Sequence, residues 1–208
     1  MKILNLYAGL GGNRKLWGNE HEIIAVENNY EIAQYYEKHY PNDGISCDDV
    51  IDILEEWDLD EYDFIWASPP CQTHSRMRNI NTGTGTRQTP PRHPDLTSLY
   101  GTIIFLNKYY HGLYCIENVI PYYTPLIKPS VTINRHHFWS NFIIPHIIIP
   151  DDDFNIKSCS NERYGINIKD YKMSIRKDQL IRNCVHPKIG KYILDCAMKK
   201  IKTLDDYL

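Results

Sequence analysis

The chain has 208 residues, a net charge of −3 and a hydrophobic fraction of 42%. This length suits one domain, and the composition supplies a sizeable core, which excludes wholesale disorder. No apolar run approaches the ~20 residues of a membrane span, and the N-terminus runs into a glycine turn where a signal peptide would have its cleavage site. The six cysteines form no CxxC pair. We therefore expect a cytoplasmic protein with reduced thiols.

Short apolar runs alternate with helical patterns along the chain. Strands are predicted at residues 2–7, 21–26, 44–47, 62–67 and 113–117, and the β-rich stretch 131–144 predicts a hairpin. Helices are predicted at residues 13–17, 30–40, 50–57, 94–110 and 188–201. This alternation predicts an α/β fold with a doubly wound, mostly parallel sheet.

Charge is distributed unevenly along the chain. Residues 20–63 contain 15 acids and one base, whereas the remaining residues contain 22 bases and 11 acids. This segregation predicts one acidic face and one basic face that attracts phosphates, with an ordinary mixed surface as the alternative. A compositional break near residues 145–153 suggests that a small basic segment follows the sheet domain.

The ends of the first three strands carry residues suited to a nucleoside. The first strand is followed by Tyr7-Ala8-Gly9-Leu10-Gly11-Gly12, where glycines permit a sharp turn and a close approach to a ligand. A purely structural turn is the alternative. Glu27 follows the second strand and can accept hydrogen bonds from two ribose hydroxyls, and Asp48 and Asp49 follow the third, where a carboxylate can bind the amine of a base.

The end of the fourth strand carries a candidate nucleophile. Cys71 lies in the sequence Ser-Pro-Pro-Cys-Gln-Thr-His-Ser, where two prolines stiffen the backbone directly before the thiol. A cysteine on a rigid turn between a buried strand and a polar loop is well placed for nucleophilic attack. Cysteines more often fill cores, but the neighbours of Cys71 are not apolar. Glu117, at the end of the fifth strand, is a candidate general acid or hydrogen-bond donor, with a solvated carboxylate as the alternative.

These motifs, in this order, resemble the DNA (cytosine-5) methyltransferase family. The resemblance rests on LYAGLGG, AVEN, DDV, SPPCQTHS and IENV, and is collinear over residues 3–141 and again over about residues 180–200. It implies a Rossmann-like methyltransferase fold that uses S-adenosylmethionine, releases S-adenosylhomocysteine and needs no metal. It also implies three segments, namely a catalytic and cofactor-binding domain at 1–144, a short basic target-recognition segment at 145–182 and a C-terminal helix at 183–208 that packs back on the catalytic domain.

The resemblance also assigns roles to residues. Cys71 would be the nucleophile that adds to C6 of cytosine, and Glu117 and Asn118 would match the family's Glu-Asn pair. The implied cofactor site comprises Tyr7, Ala8, Gly9, Leu10, Gly11, Gly12, Glu27, Asn28, Asp49, Val50, Pro70, Asn183 and Val185. Tyr7 stands where the family usually has Phe. Because a stacked base is out of reach, the target cytosine must flip out of double-stranded DNA.

Two departures from the family pattern matter. The eighth motif has one arginine where the family has two, so Arg135 is expected at the O2 of cytosine, with His136 there if the aromatic pairs are aligned instead. If residues 134–137 form one strand, Arg135 and His137 share a face. About 40 residues replace the usual recognition domain, which suggests a very short target site, low specificity, or recognition by a homodimer or a separate subunit.

Basic and polar residues around these motifs are candidate contacts to DNA phosphates and bases. They are Gln72, Ser75, Arg76, Arg78, Arg87, Arg92, Lys157, Arg163, Lys169, Lys172, Arg176 and Lys177. A solvated basic surface is the alternative for any one of them. The residue composition, rich in Ile, Asn and Tyr, suggests an AT-rich bacterial or phage genome.

Other functions fit part of the pattern. Amino-methyltransferases share the Ser-Pro-Pro sequence but need an aromatic residue where this chain has Cys71. A tRNA cytosine-5 methyltransferase would carry the same motif set. A degenerate partner that binds DNA or cofactor without activity would explain the missing arginine, although Cys71 and Glu117 argue against it.

Overall fold

The computed structural model describes residues 1–75, 94–150 and 162–199. Its strands are β1 (Lys2–Leu6), β2 (Glu22–Val26), β3 (Gly44–Ser46), β4 (Phe64–Ala67), β5 (Leu113–Val119), β6 (Val131–Ile133), β7 (His136–Ser140), β8 (Glu162–Arg163) and β9 (Ile166–Asn167). Its α-helices are α1 (Tyr30–His39), α2 (Val50–Glu56), α3 (Thr102–Tyr109), α4 (Lys177–Asn183) and α5 (Pro187–Ala197). Short 3₁₀ turns lie at Arg14–Leu16 and Leu59–Glu61, and a π turn at Thr97–Gly101 precedes α3.

Seven strands form one sheet in the order β3-β2-β1-β4-β5-β7-β6. Strands β1 to β5 are parallel, and β7 runs antiparallel to both of its neighbours. Strands β8 and β9 form a separate hairpin. The sheet is therefore mostly parallel, as the alternation of strand and helix patterns predicts.

Helices cover both faces of the sheet, which explains why strands such as β1 and β4 are apolar in almost every position. On one face, Ile3 and Phe64 share a buried cluster with Ile193 of α5. On the other face, Leu4 of β1 lies in a cluster with residues of α2 and α3, including Ile103. Each fully buried side chain of this size contributes roughly 1.5–3 kcal/mol. The sheet is therefore doubly wound and Rossmann-like, as predicted.

The elements differ from the sequence predictions in several places. The helix predicted over residues 94–110 begins with the π turn and becomes α-helical only at Thr102. Residues 134–137 are not one strand, because Asn134, with φ of 52°, and Arg135 form the turn between β6 and β7. The prediction that Arg135 and His137 share one face of a strand is therefore wrong. Helix α4 has no counterpart among the predicted elements.

The part of the segment 145–182 that the structure describes packs onto the sheet domain. Ile147 and Ile149 belong to the same buried cluster as Ile193. Ile168 and Ile181 share a second cluster with Leu10, which lies in the turn after β1. None of the helices in the described ranges has the length and apolar character that a membrane crossing requires.

Candidate active site

A cavity of about 570 Å³ lies at the carboxyl edge of the parallel strands. Its walls are formed by the segments that follow β1, β2, β4 and β5, by the β6–β7 turn and by α4. Of the residues predicted to bind cofactor or take part in the reaction, the following line it: Tyr7, Ala8, Gly9, Leu10, Gly12, Glu27, Asn28, Pro70, Cys71, Glu117, Arg135, Asn183 and Val185. This edge is where doubly wound sheets bind their ligands.

The glycine turn after β1 has the backbone conformation that glycine permits. Gly9 and Gly11 have φ of 55° and 74°, and the amide N–H of Gly11 donates to the carbonyl oxygen of Ala8 at 3.0 Å. A Cβ on Gly12 would stand 2.6 Å from the carbonyl oxygen of Val185, so this position needs the close approach that only glycine allows. The turn is thereby held against the segment that joins α4 to α5.

A buried ion pair is connected to this turn through Tyr40. The guanidinium of Arg14 donates through Nε and Nη2 to the carboxylate of Asp43, at 2.8 and 2.9 Å, and the hydroxyl of Tyr36 donates to the same carboxylate at 2.8 Å. Both charged side chains are nearly inaccessible, with 4% and 1% exposure. Tyr40, whose ring faces Arg14, donates its hydroxyl to the carbonyl oxygen of Gly11 at 2.8 Å. This network was not predictable from a motif, because Arg14, Tyr36, Tyr40 and Asp43 lie apart in the chain and outside the motifs.

Glu27 lies in the cavity directly after β2. Its two carboxylate oxygens accept from the backbone N–H groups of Gly9 and Asn29, at 3.0 and 2.9 Å. Burial raises the pKa of this carboxyl, and the two backbone hydrogen bonds oppose that rise. Because a carboxylate has about four acceptor positions, two remain for hydroxyl groups of a ligand.

The Pro-Pro-Cys turn after β4 is fixed by neighbouring hydrogen bonds. The Asn118 side chain donates to the carbonyl oxygen of Pro69 at 2.9 Å, and the backbone N–H groups of His74 and Ser75 donate to the carbonyl oxygen of Cys71 at 3.0 Å. The Cys71 thiol donates to Oδ1 of Asn183 at 3.8 Å. Asn118 is thus buried, and its side chain holds the turn at Pro69 without lining the cavity.

Burial, and after it the charge of Glu117, raises the pKa of the Cys71 thiol to about 11. Glu117 itself is buried and its carboxylate contacts Nδ1 of His136, which is also buried and lines the same cavity. The β6–β7 turn places Arg135 at the cavity as well, with an exposed side chain. Both residues that are candidates for the cytosine O2 lie at the site, and His136 is in direct contact with Glu117.

Three predicted cofactor residues do not line the cavity. Gly11 faces the Tyr40 ring, and a Cβ on Gly11 would stand 2.4 Å from Cε2 of that ring. Asp49 is exposed and caps α2 by accepting from the N–H of Ile51 at 2.9 Å. Val50 is buried in the cluster of α2 and α3. Conversely, Ile175, Gln179, Leu180 and Arg182, in or beside α4, line the cavity without having been predicted to bind cofactor.

The predicted DNA contacts are spread over several places. Gln72 and Ser75 line the cavity, whereas Lys172 is exposed in a shallow groove beside α1. As a candidate DNA contact, Arg163 was expected at the surface. It is instead buried, because the residue is 4% exposed and its guanidinium lies over the Tyr164 ring, 4.3 Å from the ring centroid. Arg76, Arg78, Arg87, Arg92 and Lys157 lie outside the described residues.

Comparison with known proteins gives a family match over the first 103 of the 208 residues. Residues 1–103 match the model of the C-5 cytosine-specific DNA methylase family. None of the curated proteins matches the chain.

Several solved structures are similar. One is described as a DNA modification methyltransferase encoded within a prophage, from E. coli, with 16% identity and a TM-score of 0.39 over 60% of this chain and 33% of that chain. A mutant of DNMT2 from Spodoptera frugiperda has 21% identity and a TM-score of 0.43, over 78% of this chain and 60% of that chain. A hypothetical protein of Thermus thermophilus has 15% identity and a TM-score of 0.44, over 67% of this chain and 73% of that chain. The chain thus spans a third of the first of these proteins and three fifths of the second. Residues 1–103 thus resemble the C-5 cytosine-specific DNA methylase family.

Proposed function

We propose that the protein transfers a methyl group from S-adenosylmethionine to C5 of a flipped-out cytosine in double-stranded DNA, through a covalent bond between Cys71 and C6. The observation that carries this proposal is the shared cavity. It brings the Cys71 thiol and the Glu117 carboxyl together with the glycine turn and Glu27. A nucleophile, an acid and a nucleoside-type pocket in one cavity are the components that this transfer needs.

The residues on one side of the cavity fit the cofactor. Glu27 keeps acceptor capacity for ribose hydroxyls, and a Cβ on Gly9 would meet nothing within 4 Å, so the backbone there borders open space. Asn183 and Val185 lie on the same cavity wall as α4 residues. When bound, S-adenosylmethionine supplies an electrophilic methyl group. Glu27, Gly9 and Asn183 would hold it beside Pro70.

Cys71 would perform the covalent step. With a pKa near 11, its sulfur carries a proton at neutral pH, and that proton would pass to solvent water as the bond from sulfur to C6 forms. Addition at C6 turns the ring into an enamine, in which C5 is nucleophilic. After C5 is methylated, transfer of the C5 proton to solvent water and cleavage of the bond between C6 and the Cys71 sulfur restore the aromatic ring and the free thiolate. Covalent catalysis thus replaces one very slow step with several feasible ones.

Glu117 would stabilise the charge that develops on the ring. Hydrogen bonding from its carboxyl at N3, together with contact to the exocyclic amine, would disperse negative charge as the thiolate adds. Gln72 and Ser75, beside the nucleophile, would contact the DNA around the flipped nucleotide. As its biological role, we propose protection of bacterial or phage DNA from restriction at a short target sequence.

Bisulfite sequencing tests this proposal. DNA from a methylation-deficient bacterial host that expresses the chain would be compared with DNA from a host that expresses Cys71→Ser. We expect methylated cytosines in a fixed short context with the first protein and none with the second. Unmethylated DNA in the presence of folded protein would contradict DNA as the substrate, and bisulfite sequencing of tRNA from the same cells would then test the tRNA alternative. Light scattering of the purified protein would distinguish a monomer from the homodimer considered above.

A further inference from the structure

His136 and Glu117 form a buried pair in the cavity wall. Nδ1 of His136 contacts Oε1 of Glu117, and the residues are 7% and 6% exposed. In the antiparallel register, Glu117 lies opposite Phe138, so His136 is its diagonal neighbour on the same face of the sheet. Both side chains line the cavity that also contains Cys71.

We propose that His136 is a positioning residue of this site, whose imidazole fixes the Glu117 carboxyl and, when protonated, balances its negative charge beside the Cys71 thiol. The consequence for methyl transfer rests on the proposed function. The effect on the thiol itself does not, because it follows from the arrangement of these three side chains.

The electrostatic effect on the thiol originates at Glu117. Its negative charge adds to the rise in the pKa of Cys71 and also to that of Cys115, which is buried in β5. A carboxylate without a counter-charge in a buried site opposes the formation of a thiolate nearby. A proton shared between the imidazole and the carboxylate makes the pair neutral overall, and the thiolate is then easier to form.

Two basic residues, Arg135 and His137, flank His136 in the chain. Arg135 belongs to the β6–β7 turn and has an exposed side chain, so water screens its charge. His137 is the neighbour of His136 on β7, and its Nδ1 contacts the hydroxyl of Thr132 at 2.8 Å. Since adjacent strand residues point to opposite faces, His137 is a matched control for His136.

The experiment measures alkylation of Cys71 by iodoacetamide in the purified protein, by mass spectrometry of its peptide. The exposed thiol of Cys47 provides an internal reference for the reagent. At pH 6.5, where about half of an ordinary imidazole carries a proton, the rate follows the thiolate fraction. We expect Cys71 in His136→Gln to react about threefold more slowly than in the wild type, after allowance for the higher intrinsic nucleophilicity of a more basic thiolate. His136→Arg, which keeps a positive charge, should react as fast as the wild type or faster, and His137→Gln should match the wild type.

A second pair of variants distinguishes an electrostatic effect from a local folding defect. Glu117→Gln removes the negative charge, so Cys71 should react faster, and adding His136→Gln to that variant should then have no slowing effect. Equal Cys71 rates in the wild type, His136→Gln and His136→Arg would overturn the proposal. An equal loss of the Cys71 alkylation rate in His136→Gln and His136→Arg would also overturn the proposal, because it would indicate a structural role only.

Methyl transfer gives a separate readout. His136→Gln should lower kcat with an unchanged KM for S-adenosylmethionine, and His136→Arg should restore kcat. Altered alkylation in a protein without methyltransferase activity would leave the His136 inference standing and reject the proposed function. If the enzyme is active but the His136 variants leave Cys71 alkylation unaltered, the proposed function stands and the His136 inference is rejected.

Discussion

At the scale of single side chains, Glu27 shows how burial changes the chemistry of a residue. Its carboxylate holds the glycine turn through Gly9 and the start of the α1 region through Asn29, and it also faces the cavity. Because burial raises its pKa, this carboxyl takes up a proton at a higher pH than an exposed glutamate does. A protonated carboxyl is a weaker acceptor than the carboxylate.

Cofactor affinity should therefore depend on pH. We expect the affinity for S-adenosylhomocysteine, measured by titration calorimetry, to fall as the pH is lowered from neutral through the range just above the ordinary glutamate pKa. Glu27→Gln should bind about 1–3 kcal/mol more weakly at neutral pH and show no such fall. Glu22→Gln, at an exposed position at the start of β2, is the control. A pH-independent affinity in the wild type would count against Glu27 as the ribose ligand.

At the scale of elements, the turn after β1 depends on side chains that approach it from α1 and from the loop before β3. Asp43 accepts three hydrogen bonds, two from Arg14 and one from Tyr36, and Tyr40 connects this group to Gly11. Removing one partner of a buried ion pair leaves the other charge without compensation.

Asp43→Asn should consequently lower the free energy of unfolding by about 3–5 kcal/mol, as measured by urea denaturation. Glu55→Gln, which changes an exposed carboxylate on α2, should alter it by no more than about 0.5 kcal/mol. Similar values for the two variants would show that the Arg14–Asp43 pair does not support the fold.

Helix α4 links the segment 145–182 to the cofactor side of the cavity. Ile181 is fully buried in the cluster that contains Leu10, while Gln179 and Leu180 line the cavity. Ile181→Ala should cost about 2–5 kcal/mol of unfolding free energy and weaken binding of S-adenosylhomocysteine. Ile104→Ala, at a position that is 60% exposed, should change neither by much. A loss of DNA binding with normal cofactor affinity would instead favour a recognition role for α4.

The predictable elements are those with a strong local pattern. The buried strands β1 and β4 follow from their apolar runs and the turn residues behind them. Helix α4 has only seven residues, and a helix this short is stabilised by tertiary packing, which leaves little local signal. The break at Asn134 was missed because a two-residue turn can interrupt a β-rich run without glycine or proline.

The site was predictable where a motif marks a strand end, as at Cys71, Glu117 and Glu27. It was not predictable where long-range packing decides a side chain's surroundings. The contact of His136 with Glu117 requires the register between β5 and β7. The burial of Arg163 requires the β8–β9 hairpin to pack beside Lys15, whose amino group donates to the carbonyl oxygen of Tyr164 at 2.7 Å.

At the scale of the whole molecule, charge is divided between regions. The acidic residues concentrate in 20–63, and Lys169 and Lys172 are exposed in the basic C-terminal part. If these lysines contact DNA phosphates, each contact releases a counterion on binding.

The double variant Lys169→Gln/Lys172→Gln should therefore weaken DNA binding and reduce the slope of log K against log salt by about 2. Fluorescence anisotropy at several salt concentrations measures this slope. The double variant Glu55→Gln/Glu56→Gln, on the acidic α2, should leave the slope unchanged. Equal slopes for both double variants and the wild type would place the DNA contacts elsewhere.

Covalent attack by Cys71 on C6 is the central claim, and trapping the adduct tests it most directly. In mixed-sequence duplex DNA whose cytosines are replaced by 5-fluorocytosine, the fluorine at C5 cannot leave as a proton does, so the Cys71 sulfur stays bonded to C6 after methylation. Intact-mass and peptide analysis of protein incubated with this DNA and S-adenosylmethionine should show the adduct on Cys71, with none in Cys71→Ser. Methylation of ordinary DNA by the wild-type protein without any trapped adduct would contradict the covalent mechanism.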